Sequence, residues 1–284
     1  MNDLAMALTQ LCRRNRDGSQ ATQANRLNGL KAMAAELYQL GFRLPAAASL
    51  KPKHVAALIA AWEARELSPA TMKNRLGWLR WWAEKVNKAS VIPRENAELG
   101  IATRTNAGGN RAWQLEQVRA LPDTLMQMSL QLMAAFGLRM EEALKLKPRQ
   151  ADAGHALRLQ GSWTKGARAR DIPIRTDEQR QLLAAAKELV GGNSLIPTGR
   201  SYIQHRKAFE HQTLKHGLTN LHGLRHGYAQ ARYRELTGWP CPKDGGPAQK
   251  ELIGHARALD RHARLIVAEE LGHSRISITT TYLG

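Results

Sequence analysis

The chain has 284 residues, 43% of them hydrophobic and 23% charged, which argues against a disordered or fibrous protein. It carries 42 lysines and arginines against 24 aspartates and glutamates, a net charge of +18, and the excess is shared: 16 basic and 8 acidic side chains in residues 1–105, 26 and 16 in residues 106–284. Such an excess points to a polyanionic partner, nucleic acid before an anionic membrane surface, and the absence of any run of about 18 apolar residues or of a secretory pattern argues against a membrane span or export.

The first third reads as helices. Leu27, Leu30, Ala34 and Leu37 recur at helical spacing, with Gly41 as a stop. A second helix opens at Pro52 and places Val55, Leu58, Ile59 and Trp62 on one face. A third is capped by Ser68 with Pro69 at its first position, and its apolar stripe is Met72, Leu76, Leu79, Ala83 and Val86. The rest of that helix carries Lys73, Arg75, Arg80, Lys85 and Lys88, a basic face suited to a DNA groove, so Lys73, Arg75, Arg80 and Lys85 are the expected DNA-binding residues. From Pro93 to Asn110 the periodicity fades into small polar residues, and a linker is expected there.

The second part is mixed. Helices are expected over 114–121, 123–136 and 139–147, with Pro122 and Gly137 as breaks. Leu157, Leu159, Gly161 and Trp163 alternate as in a strand, Lys165-Gly166-Ala167 makes a turn, and Arg170 to Ile174 returns as an edge strand with Pro173. Thr176 caps a helix that runs to Val190 and stops at Gly191-Gly192. Further helices are expected near 201–216, 223–236, 248–258, 262–271 and 274–282. The two cysteines, Cys12 and Cys241, are far apart and suit a reducing cytoplasm rather than a disulfide framework or a zinc cluster.

No phosphate-binding loop, zinc spacing or Ser/His/Asp elbow is present. What stands out is an ordered series: Gly137-Leu-Arg139 followed by Glu142, then Thr164-Lys165-Gly166, His222-Gly-Leu-Arg225, Leu271-Gly-His273 and Thr281-Tyr282. At these residues the chain resembles the tyrosine recombinase family of the phage-integrase type. Arg139, Lys165, His222, Arg225, His273 and Tyr282 match the family's catalytic pattern in order, with nine residues from His273 to Tyr282, and Glu142 matches its acidic residue. The resemblance spans nearly the whole chain. It implies a mainly α fold with a small antiparallel β-hairpin: a helical, SAM-like core-binding domain over 1–95, a linker over 96–110, and a mixed α+β catalytic domain over 111–284.

The resemblance also implies site-specific cleavage and rejoining of double-stranded DNA through a 3′-phosphotyrosine, without metal, cofactor or ATP, in the service of a mobile element. Arg139 and Arg225 would clamp the non-bridging phosphate oxygens, since guanidinium groups match them bidentately and stay charged. Tyr282 would attack phosphorus, His222 would manage its proton, Lys165 would protonate the departing 5′ oxygen, and His273 would hydrogen-bond the phosphate. A homotetramer on DNA, in a bacterial or phage setting near the nucleoid, is implied in the same way. The alternatives are a type IB topoisomerase-like enzyme and a DNA-binding accessory or regulatory protein without chemistry. Ile253-Gly-His255 imitates the Leu-Gly-His segment, but Arg264 stands nine residues later, so His255 is set aside. Tyr202, Tyr228 and Tyr233 lack the spacing of a nucleophile, and His226 is read as structural or at the rim of the site.

Arg225 and His273 are 48 positions apart, farther than the family pattern leads one to expect, so 237–262 is read as an insertion. Its glycines and prolines suggest a projecting loop, with a short helix over 248–258 that could dock on a neighbouring protomer. Only two residues follow Tyr282, which would leave that role to the insertion or to a tail lost by truncation.

Overall fold

The computed structural model describes residues 2–102, 108–113, 120–164 and 166–284. The chain forms two compact units, Met1–Thr105 and Asn106–Gly284, each with its own buried apolar cluster.

The first unit is helical. α1 (Asp3–Arg14) opens at Asn2, whose side chain accepts the Ala5 amide; α2 (Gln20–Gln39) opens at Ser19; α3 (Pro52–Ala64) and α4 (Pro69–Lys85) each have proline in the first turn. These starts satisfy, or dispense with, amides that have no partner inside a helix. Leu30, Leu37, Leu58, Trp62, Leu76, Leu79 and Trp82 are fully buried with Leu8 of α1, an element the periodicity analysis did not single out. The Glu36 carboxylate accepts from the Trp62 indole and from Arg75, both at 2.7 Å. Ile92 and Ile101 are buried in the same cluster, and Arg80 donates to the Pro93 carbonyl and to Asn96. Residues 93–101, expected as the start of a linker, therefore pack with this unit; 103–107 lie outside the described residues.

The second unit runs through α5 (Thr124–Phe136), α6 (Met140–Lys145), α7 (Pro148–Ala151), β1 (Ala156–Leu159), β2 (Arg170–Pro173), α8 (Asp177–Val190), α9 (Tyr202–Lys215), α10 (His222–Thr237), α11 (Gly254–Glu270) and α12 (Thr280–Leu283). β1 and β2 pair antiparallel, with Leu157 opposite Ile172 and Leu159 opposite Arg170. The fold is thus mainly α with a small antiparallel hairpin, as expected. α10 threads the core: Leu224, Arg225, Ala229 and Tyr233 have no exposed surface. Most of the expected 114–121 helix falls outside the described residues. No helix among the described residues is long and apolar enough to cross a membrane.

Three expectations are corrected. The first strand ends at Leu159, because Gly161–Trp163 turns into a 3-10 segment in which a side chain on Gly161 would meet the Ala167 carbonyl at 2.7 Å. The helices expected at 248–258 and 262–271 are one, α11, starting at Gly254. The charged Asp260 does not interrupt it, since this buried carboxylate accepts from Tyr233 at 2.6 Å and from Arg264 at 2.8 Å. Nor does the segment after α10 project as a loop. Cys241 is fully buried, Pro242–Asp244 forms a 3-10 turn, and Lys243 donates to the Thr281 carbonyl at 2.8 Å. The glycines and prolines shape a tight turn against the unit's own α12.

Candidate active site

Each element of the ordered series has a local reason for its shape. Gly137 ends α5 in the left-handed region, φ 61°, and a Cβ there would meet the Tyr228 ring at 2.5 Å, so both the turn and the packing require glycine. Leu138 is buried, and Arg139 then caps α6 while the Glu142 side chain accepts the Arg139 amide at 2.8 Å. The Gly-Leu-Arg-x-x-Glu spacing is therefore a helix stop followed by a helix start, with the arginine held between them. On α10, His222, Arg225 and His226 lie within one turn and share a face. The Leu-Gly-His segment repeats the device at the end of α11: Leu271 is buried, Gly272 takes φ 67°, and the His273 amide bonds back to the Ala268 carbonyl at 2.8 Å.

Five of the six expected catalytic residues come together around one atom or the carboxylate beside it. The Tyr282 hydroxyl lies 3.2 Å from His273 Nε2, 3.4 Å from His222 Nε2 and 3.4 Å from Arg225 Nε. Arg225 is fully buried; it donates to the Gly137 and Leu271 carbonyls, joining the first-arginine turn to the Leu-Gly-His turn. Arg139 donates to Glu142 at 2.8 Å, and the same carboxylate accepts two hydrogen bonds from Arg170 and lies 4.0 Å from Arg225. Lys165, expected on the hairpin between β1 and β2, lies outside the described residues.

The charges decide the protonation states. Burial pushes the Glu142 carboxyl up, but Arg170 and Arg139 outweigh it and hold it down at about 2, so it stays ionised. Burial, then the nearby Arg139, draws Arg225 down to about 10, so it remains a cation at neutral pH. Burial, followed by the charges of Arg225 and Arg139, lowers His222, and the same causes bring His273 to about 4. His226 also falls to about 4, from burial and then from His222 and Lys243. At pH 7 these imidazoles are neutral, and a neutral ring nitrogen can accept a proton from a phenol.

A pH dependence of stability follows. These histidines bind a proton more weakly in the folded chain than in the unfolded one, where the value is 6.5. Their contribution is complete above about pH 6.5 and is lost as the pH falls towards 4, because the unfolded chain then takes up the protons. Glu142 acts lower, with its contribution lost only below about pH 4.5. Thermal melts should show a flat midpoint from pH 8 to about 7 and a decline between about 6.5 and 4. A midpoint unchanged down to pH 5 would contradict this placement of the imidazoles.

Two further residues belong to the site. His226, read from sequence as structural or at the rim, is 4% exposed and packs its ring 4.6 Å from that of Tyr282. Its place one residue after Arg225 carried no signal, since its proximity to Tyr282 arises only when α12 docks. Arg170 reaches Glu142 and also donates to the Glu270 carbonyl, tying β2 to the end of α11. The period-two alternation with buried Ile172 puts Arg170 on the inner face of β2, and that parity could have exposed it. Glu270 accepts from Tyr228 and Arg232, which accounts for Tyr228 as a packing residue. Tyr233 is likewise bonded to Asp260, and His255 is exposed at the start of α11.

In the first unit the expected DNA-binding side chains divide. Arg75 is paired with Glu36 and Arg80 with Pro93 and Asn96, so both hold the unit together. Lys73 is exposed at a surface groove with Thr22, Asn25 and Asn74, and Lys85 pairs with Glu84 at 3.3 Å. Among the described residues, no group of three or more His, Cys, Asp and Glu side chains is arranged to hold a metal.

Two family models match the chain: phage integrase, N-terminal, over residues 1–89, and integrase over residues 100–231. Among solved structures, a λ integrase dimer bound to a COC′ core site aligns with a TM-score of 0.66 at 15% identity, over 99% of this chain and 77% of that one. XerH site-specific recombinase bound to palindromic difH substrate aligns at 0.61 and 17% identity, over 98% and 80%. The Tn1549 transposon integrase with circular-intermediate DNA aligns at 0.57 and 14% identity, over 100% and 96%. A comparison with curated protein sequences finds no match. Structural likeness at such identities speaks for the fold, and the two sequence models, which between them span most of the chain, speak for kinship. The chain belongs to the tyrosine recombinase family of the phage-integrase type.

Proposed function

We propose that this protein is a site-specific recombinase that cleaves and rejoins double-stranded DNA through a phosphotyrosine at Tyr282. The observation that carries the reading is the Tyr282 hydroxyl within 3.4 Å of His273, His222 and buried, cationic Arg225. A phosphate entering this ring of donors meets Arg139 and Arg225, which stabilise the charge that builds on its non-bridging oxygens. The Tyr282 oxygen forms a bond to phosphorus as the bond to the 5′ oxygen breaks, and neutral His222 takes the phenolic proton. Lys165 supplies a proton to the departing oxygen, a role that rests on the family pattern alone. The phosphotyrosine keeps the bond energy, so a 5′-hydroxyl can reseal the strand by the reverse steps without ATP. Neither a metal nor an organic cofactor has a part in this sequence.

The family pattern further assigns DNA gripping to the first unit, where Lys73 and Lys85 are the free or lightly paired cations of α4. With charge in both units, the duplex would be held by each of them, and affinity should fall steeply with salt. Assembly as a homotetramer on recombination sites, for the movement of a mobile element in a bacterial or phage cytoplasm, completes the proposal.

The test is covalent capture. Purified protein is mixed with a pool of nicked duplexes of random sequence, in excess chelator, and denaturant-resistant adducts are recovered and sequenced. Adducts attached at a shared sequence support the proposal. Adducts without sequence preference favour a topoisomerase-like activity, and their complete absence favours a DNA-binding accessory protein.

A further inference from the structure

We propose that Gln230 and Lys243 are positioning residues for the nucleophile: each holds a main-chain carbonyl of the short helix that carries Tyr282. The inference rests on the recombinase reading of the site and deepens it.

α12 spans only Thr280–Leu283. A helix of one turn has no cooperative stability of its own; its Thr280 carbonyl takes the Gly284 amide at 3.1 Å, and the next two carbonyls must find donors outside it. Its seating must come from donors elsewhere in the fold. Gln230 Nε2 donates to the Tyr282 carbonyl at 3.0 Å, and Lys243 Nζ donates to the Thr281 carbonyl at 2.8 Å. These are adjacent carbonyls, so the two bonds set both the position and the rotation of the peptide that presents the phenol.

The two donors are themselves fixed. Gln230 lies one turn beyond His226 on α10, is 5% exposed, and has every amide group in use. Its second N–H goes to Asn110 Oδ1 at 2.8 Å, and its oxygen accepts from Asn110 Nδ2 at 3.2 Å. The Tyr282 carbonyl settles the amide's orientation, since the flipped side chain would face it with an oxygen. Asn110 is held in turn by the chain that follows, where the Trp113 amide bonds the Gly223 carbonyl at 3.0 Å. Lys243 stands on the turn Pro242–Asp244, anchored by buried Cys241 and by the Arg234–Asp244 ion pair. This explains why the segment after α10 packs inward: it brings a cation to the backbone of the nucleophile.

The phosphate-binding groups have other supports. Arg225 is held by the Gly137 and Leu271 carbonyls, Arg139 by Glu142, and His273 by the turn at Gly272. Losing Gln230 or Lys243 should therefore unseat the tyrosine and leave the clamp in place.

The experiment measures the rate of covalent attachment at saturating concentrations of a nicked duplex recovered by the capture above, with DNA half-saturation and thermal midpoint alongside. Gln230→Leu keeps the side chain's bulk without its donor, Lys243→Met removes the charge and the donor, and Lys243→Arg keeps both. Gln230→Leu and Lys243→Met are expected to slow attachment by about tenfold to a hundredfold, the loss that a misplaced reacting group brings. Half-saturation should stay within about twofold, and Lys243→Arg should recover to within about threefold of the parent. Attachment at the parental rate by both variants overturns the inference, and so does a parallel loss of rate and DNA affinity, which would mark a structural role. Should Gln230→Leu fail to fold, the half-buried Lys243 pair of variants still decides. No attachment by the parent chain removes the recombinase reading and this inference with it; parental attachment with unimpaired variants removes the inference alone.

Discussion

Tyr282→Phe is expected to bind nicked duplex as the parent does and to form no covalent adduct. The ring of Tyr282 is 3% exposed and packs on His226, and phenylalanine keeps that contact. The backbone bonds from Gln230 and Lys243 are indifferent to the substitution. What disappears is one oxygen, the atom that His273, His222 and Arg225 surround. Removal of a nucleophile that works with neighbouring groups costs about 10⁴-fold or more in rate, so adduct formation should drop below detection. Denaturing electrophoresis of the complex reads the adduct, and a titration with the same duplex reads affinity. An adduct formed by Tyr282→Phe at a rate near the parent's would show that another residue attacks the phosphate.

The second large effect separates the two arginines. Arg139 is about a quarter exposed and shares Glu142 with Arg170, so Arg139→Lys leaves the buried carboxylate paired. A lysine keeps the charge and loses the planar fork, and removal of one such preorganised donor slows reaction by about 10²- to 10³-fold. The thermal midpoint should move little. Arg225 is different. It has no exposed surface and bonds two main-chain carbonyls, Gly137 and Leu271, besides the Tyr282 hydroxyl. Arg225→Ala leaves those carbonyls buried without their donor, at about 1–3 kcal/mol each, and removes the central cation of the site. That variant should lose both cleavage and several degrees of thermal midpoint, whereas Arg139→Lys loses cleavage alone. Equal thermal midpoints for the two variants would contradict the buried bridging role of Arg225.

Much of the site was legible because the family pattern is a pattern of local devices. Gly137, Arg139 and Glu142 encode a helix stop and a helix start, and Leu271, Gly272 and His273 encode another stop; both can be read from neighbouring residues. The later helices of the first unit, α2 to α4, were legible for the same reason, since Ser68 with Pro69 and the repeat of Leu30, Ala34 and Leu37 act within a few residues. The errors fell where the deciding partner is distant. The helices expected at 248–258 and 262–271 join into one because Asp260, between them, is buried against Tyr233 and Arg264. The glycines and prolines of 240–247 looked like a surface loop, but their placement depends on α12, some forty residues later. The partners of Arg75 and Arg80 were hidden for the same reason, since Glu36, Pro93 and Asn96 come from other parts of the first unit.

The sequence by itself determined the basic character of both halves, the mainly helical fold with one hairpin, and the identity and order of the residues in the family pattern. These depend on composition, on short-range periodicity and on spacing, which survive without knowledge of contacts. Only the tertiary structure decided that His226 packs on the ring of Tyr282, that Arg170 joins Arg139 and Arg225 at Glu142, and that Gln230 and Lys243 hold the carbonyls of α12. Each of these is a contact between side chains far apart in the chain. Neither hydrophobic period nor motif records such a contact, because it exists only once buried polar groups must find partners in the packed core.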